Sequence, residues 1–182
     1  MATMNKPTYA AIMQHSPTKP VLVFVSSRRQ TRLTALDLIA LSAAEGNPRK
    51  FLHMSEATLQ AALAHVSDPN LKNTLSFGIG MHSAGLSARD RAVVEKLFLE
   101  RKIQVLVCTS TLAWGVNFPA FLVVVKGTEF YDAKTKRYGQ FSAFWLLCRC
   151  SPILQQHCFH APYLTCYFRS ECVCVAFQST SL

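Results

Sequence analysis

The segment Ile103–Ala120, IQVLVCTSTLAWGVNFPA, constrains the fold more than any other part of the chain. Val105-Leu106-Val107-Cys108 is continuously apolar. It has no polar alternation, so it reads as a strand buried on both faces, the habit of parallel sheets. It runs directly into three hydroxyl residues, Thr109, Ser110 and Thr111, then into Trp114-Gly115-Val116-Asn117 and a stop at Pro119. In open α/β sheets ligands bind just beyond the carboxyl ends of the strands. Hydroxyls and free backbone N–H groups placed there suit phosphate oxygens. The same spacing also fits an ordinary strand-to-helix turn capped by Ser and Thr, and this segment alone leaves both readings open.

The flanking sequence repeats the pattern. Tyr9, Ile12 and Met13 predict a short helix ended by Ser16-Pro17. Val21–Val25 is a second buried-strand run. Ser27, with Gln30 three residues on, has the spacing of a capping box. It opens a helix whose apolar stripe is Leu33, Leu36, Ile39, Ala40 and Ala43, up to Gly46-Asn47-Pro48. Ser55 opens a helix with Leu59, Ala62, Leu63 and Val66 on one side. Asp68-Pro69 has the form of an N-cap and first helical residue, with Leu71 and Leu75 buried. Phe77–His82 is strand-like, and Ser87 with Asp90 caps a helix striped by Val93, Val94, Leu97 and Phe98. A strand at Leu122–Val125 closes the series. Strands alternating with helices predict an α/β fold with a parallel sheet.

Three polar clusters fall at strand ends: Ser26-Ser27-Arg28-Arg29, His82-Ser83-Ala84-Gly85, and Thr109-Ser110-Thr111 with Gly115 and Asn117. Parallel strands put these ends on one edge, where the clusters can meet a single ligand. Arg28 or Arg29 at a helix N-terminus can pair bidentately with a phosphate, or be plain solvated charge. His82 alone reads as a hydrogen-bonded structural histidine ahead of a catalyst. Lys6, Lys19, Arg49, Lys50, Lys72 and Lys102 read as a solvated face.

The balance of 19 Lys+Arg against 10 Asp+Glu, a formal +9, agrees with a polyanionic partner without requiring one. No basic region followed by an apolar stretch opens the sequence, and no apolar run reaches the roughly 20 residues of a membrane helix, so neither a signal peptide nor a membrane span is expected. No G-x-x-x-x-G-K-[ST], no G-x-G-x-x-G after a strand, no G-x-S-x-G, no H-E-x-x-H and no paired carboxylate cluster is present. A phosphate-friendly edge stands without a recognisable catalytic engine.

VLVFVSSRRQTRLTALDL, FGIGMHSAGLSARDRAVVEKLF and IQVLVCTSTLAWGVNFPAFLVVVKGTEFYD, in this order, resemble the second RecA-like domain of superfamily 2 helicases. The branch is the one holding the activating signal cointegrator complex helicase subunit and the spliceosomal duplex-unwinding helicase. STLAWGVNFPA and VKGTEFYD lean towards the former. The resemblance covers residues 4–138 and implies a RecA-like parallel sheet flanked by helices. It implies a partner domain, ATP with Mg²⁺ in the cleft of a complete two-domain helicase, and one nucleic-acid strand along the edge. Ser26, Ser27 and Arg28, then His82 and Gly85, would help hold that strand. Thr109 and Thr111 would contact its phosphates, and Gly115 and Asn117 would lie towards the nucleotide. No catalytic residue, metal ligand or bound cofactor is implied for this chain alone.

The departures are equally informative. A GRAGR-like run with phosphate-contacting arginines should follow Tyr138; the sequence instead turns to GQFSAFWLLCRCSPILQQHCFH. Residues 139–182 hold six of the seven cysteines and only Arg149, Arg169 and Glu171 as charges. This predicts two parts: 1–138, an incomplete helicase C-terminal domain, and 139–182, an irregular Cys- and aromatic-rich tail outside the family fold. A change of frame or splice boundary near Tyr138–Gln140 would explain the break. In the alternative, the tail supplies a strand covering the bare sheet edge, for which the alternation at Val173, Val175 and Phe177 is suitable. The C-x-C pairs lack the spacing of structural zinc sites. The expected function is a fragment of an ATP-dependent nucleic-acid helicase, unable alone to hydrolyse ATP or unwind. Its expected partners are single-stranded RNA or DNA, the first RecA-like domain and helicase complex subunits. It is expected inside the cell, in nucleus or cytoplasm, away from membranes. The alternatives are a non-catalytic interaction module and a gene-model artefact.

Overall fold

A computed structural model of the chain describes residues 4–109, 118, 120–126, 129–132, 137–140, 165–169 and 172–176. Four apolar runs become the parallel strands β1 (Val21–Phe24), β2 (Ile79–His82), β3 (Val105–Cys108) and β4 (Leu122–Val125), every residue of them buried. Runs without alternation need cover on both faces. Helices α1 (Asn5–His15), α2 (Arg28–Ala44), α3 (Glu56–Leu63), α4 (Pro69–Leu75) and α5 (Ala88–Leu99) alternate with them in the chain. The order across the sheet begins β2-β3-β1-β4. Phe24 pairs with both Cys108 and Val125, and His82 pairs with Cys108, so the four carboxyl ends lie level on one edge.

The sheet extends past β4 by two antiparallel strands, β8 (Cys172–Ala176) and then β7 (Thr165–Arg169). β8 sets Val175 opposite Val123 and Val173 opposite Val125. A separate hairpin joins β5 (Glu129–Asp132) to β6 (Arg137–Gln140).

Helix starts follow the sequence. Ser27 Oγ accepts the Gln30 N–H, Asp68 Oδ1 accepts the Leu71 N–H at 2.8 Å, and Ser87 Oγ accepts the Asp90 N–H at 3.0 Å. The Asp90 carboxylate instead accepts the Ser67 N–H at 2.7 Å and ties α5 to the segment before α4. The stripe expected on α2 is rotated. Leu33 is 40% exposed and Ala40 and Ala43 face solvent, whereas Thr31, Thr34, Ala35, Leu38 and Ser42 are buried. Hydroxyls tolerate this because each finds an acceptor or donor locally: Thr31 bonds the Arg28 carbonyl, Ser42 the Ile39 carbonyl, and Thr34 receives a bond from Lys126.

Candidate nucleic-acid interface

The four parallel strands leave the sheet at the common edge, and for β1, β3 and β4 the backbone hydrogen bonds continue one residue beyond it. The Thr109 N–H bonds the His82 carbonyl at 3.1 Å, Val25 N–H the Cys108 carbonyl at 2.9 Å, and Lys126 N–H the Phe24 carbonyl at 2.9 Å. The edge is therefore held rigidly at the level where the polar clusters begin.

After β1, Ser26 is half-buried and Ser27 exposed, and α2 starts with Arg28 and Arg29 exposed, followed by Arg32. Among the described residues none of these three arginines has a carboxylate within ion-pair distance. No acidic residue lies in the first turn of α2. Cations at a helix N-terminus oppose its dipole, so among the described residues this end carries positive potential with no carboxylate paired to it, which an anion would relieve.

After β2, Arg28 reaches across to the second cluster. Its side chain lies so close over Gly85 that a β-carbon there would stand 3.0 Å from Arg28 Cδ and 3.1 Å from Nη1. The structure thus brings Arg28 and Gly85 into contact, and glycine is what leaves the guanidinium room. His82 is buried, and its Nε2 stands 2.7 Å from Glu95 Oε1 on α5. Burial lowers its pKa below the ordinary value and outweighs the opposing pull of the Glu95 carboxylate. Thr109, after β3, is buried beside it. Thr111, Gly115 and Asn117 lie outside the described residues, as does Ser110.

Two residues near the edge escaped the sequence reading. Glu95 sits 13 residues from His82 on another element, and no helical or strand period links them. Lys126, at the end of β4, is 1% exposed. Its ammonium donates to Thr34 Oγ1 at 2.8 Å and to Asn5, whose amide in turn donates to Asp37. A lysine after an apolar strand looks like an exit to solvent; only tertiary packing of α1 and α2 closes over it.

Among the described residues no group of three His, Cys, Asp or Glu side chains could hold a metal ion. No described helix is long and apolar enough to cross a membrane.

The sequence matches the helicase conserved C-terminal domain family over residues 5–141. It is 65% identical over 141 residues to the DExH-box ATP-dependent RNA helicase DExH14 of Arabidopsis thaliana. It is 64% identical over 141 residues to activating signal cointegrator 1 complex subunit 3 of Homo sapiens, and 60% identical over 139 residues to the RQC trigger complex helicase SLH1 of Saccharomyces cerevisiae. These alignments cover 78%, 78% and 76% of this chain, and 6%, 6% and 7% of the respective relatives. The chain thus spans a small part of the length of the relatives it matches. With four parallel strands whose carboxyl ends lie level and a family match over residues 5–141, the chain belongs to the helicase conserved C-terminal domain family.

Proposed function

We propose that this chain supplies half of the ATP cleft and part of the single-strand track of an ATP-dependent nucleic-acid helicase. The observation that carries the reading is the exposed basic start of α2, with no ion-pair partner among the described residues, level with the ends of four parallel strands. Ser26, Ser27, Arg28 and Thr109, with Thr111, take the strand's phosphates; His82 and Gly85 shape the track; Gly115 and Asn117 face the nucleotide. Contacts of this kind position a strand without reading its sequence. The family resemblance assigns the phosphate loop and the acidic Mg²⁺ box to the first RecA-like domain, the chain's principal protein partner. ATP enters only when both halves are present. One relative is an RNA helicase by name and another a subunit of a complex, which supports RNA as the strand and a multiprotein setting inside the cell, in nucleus or cytoplasm. The end of the family match at residue 141 supports placing the tail beyond that point outside the family unit, three residues past the boundary expected at Tyr138.

The test is a graft. Residues 5–141 replace the corresponding segment of one of these helicases, and strand-stimulated ATP hydrolysis is measured. Hydrolysis close to that of the parent is the expected result. A folded graft that binds ATP but shows no strand stimulation contradicts the reading.

A further inference from the structure

His82 holds an unexplained atom. Its Nδ1 is buried and has no hydrogen-bond partner, and it is the one such side-chain atom among the described residues. Leaving a buried polar atom unpaired is destabilising, and such an atom calls for an explanation in function or a missing partner. The other ring nitrogen is not ambiguous. Nε2 faces a carboxylate oxygen at 2.7 Å. A carboxylate only accepts, so Nε2 carries the proton. In a neutral ring Nδ1 then presents a lone pair and can only accept. Burial keeps the ring neutral near pH 7.

We propose that Glu95 is a positioning residue that locks His82 as an acceptor at Nδ1, and that this acceptor takes the ribose 2′-hydroxyl of a bound RNA strand. Phosphate oxygens and sugar ring oxygens only accept hydrogen bonds. The 2′-hydroxyl is the single donor in a sugar–phosphate backbone, and it is the group that separates RNA from DNA. An acceptor at this edge is therefore of no use to a phosphate and selective for RNA. His82 lies directly before the turn formed by Ala84 and Gly85, both exposed. Nδ1 itself is buried in the strand-free chain, so the contact requires this exposed turn to move aside when the strand binds. This deepens the strand-track reading and rests on it. It assigns Arg28 the phosphates and His82 the sugar.

The experiment uses the full 182-residue chain and two single-stranded probes of equal length, an oligouridylate and an oligodeoxyuridylate, at one low salt concentration. The wild type should bind the ribose probe about fivefold more tightly, the factor set by one ordinary hydrogen bond. Glu95→Gln removes the tautomer lock, because an amide either donates or accepts. It should bring the two affinities together by weakening the ribose probe. A general loss of structure would weaken both probes alike. Long-range proton–nitrogen spectra of the His82 ring supply a second readout, with Nε2 protonated and Nδ1 bare in the wild type and a mixture in Glu95→Gln. Equal binding of the two probes by the wild type, an unchanged ratio in Glu95→Gln, or a protonated Nδ1 at neutral pH overturns the proposal. If neither probe binds at all, the strand-track reading itself fails, and the sugar contact with it; the spectra still decide whether Glu95 sets the tautomer.

Discussion

Lys126 shows how a single side chain can join three elements. Its ammonium is buried where β4 ends, and it satisfies Thr34 on α2 and Asn5 on α1 at once. Lys126→Met keeps the apolar stem but leaves both acceptors without their donor. Each unsatisfied buried group costs about 1–3 kcal/mol, so chemical denaturation should show a loss in that range or above. An unchanged midpoint would mean that water reaches the site. His82 makes a second residue-scale prediction, in pH. Its folded pKa lies below the unfolded value of 6.5. The unfolded chain therefore takes up its proton first, and stability falls as pH drops below about 6.5. Above that value both states are neutral at this residue and it contributes no slope. The difference in melting temperature between wild type and His82→Gln should be flat above that pH and narrow below it; a constant difference across the range contradicts this. These residues also mark where the sequence was legible. Arg28, His82 and Thr109 stand at strand ends because apolar runs announce their own boundaries. Glu95 and Lys126 act through partners on other elements, and linear spacing carries no trace of that.

At the scale of elements, strands and caps were readable because their signals are local. A four-residue apolar run or a Ser three residues before a backbone donor says nothing about its neighbours and needs nothing from them. The face of α2 was not readable. Leu33 looks like a core residue and Thr34 like a surface one, yet the Lys126 ammonium makes the interior side of the helix suitable for a hydroxyl. The tail poses the sharpest question about an element. The alternation at Val173 and Val175 does give a strand, β8, lying antiparallel against β4. Without it β4 would present an open edge of backbone donors and acceptors. Removing residues 141–182 should therefore lower the melting temperature by several degrees, the shift that about 1 kcal/mol produces in a domain this size. An unchanged melt would show that the tail is an appendage to a sheet stable without it.

At the scale of the whole molecule, fold and catalytic competence separate. In the proposed function, the parallel sheet, the level strand ends and the basic start of α2 supply one half of a phosphate-handling cleft. Phosphoryl transfer depends on groups that cradle and neutralise the transferring phosphate together, and the phosphate loop and GRAGR-like arginines are absent from this sequence. The chain alone should show no ATP hydrolysis that saturates with ATP and survives repeated purification; turnover meeting both conditions would contradict the half-cleft reading. Strand binding, by contrast, needs only the edge. The most direct test of that claim is the salt dependence of single-strand binding, measured for the wild type and Arg28→Ala. For each phosphate neutralised on a single strand, the slope of log affinity against log salt is about −0.7. Arg28→Ala should therefore weaken binding to every sequence alike and make the slope shallower by about 0.7. Unaltered affinity and slope in the variant would place the track elsewhere on the molecule.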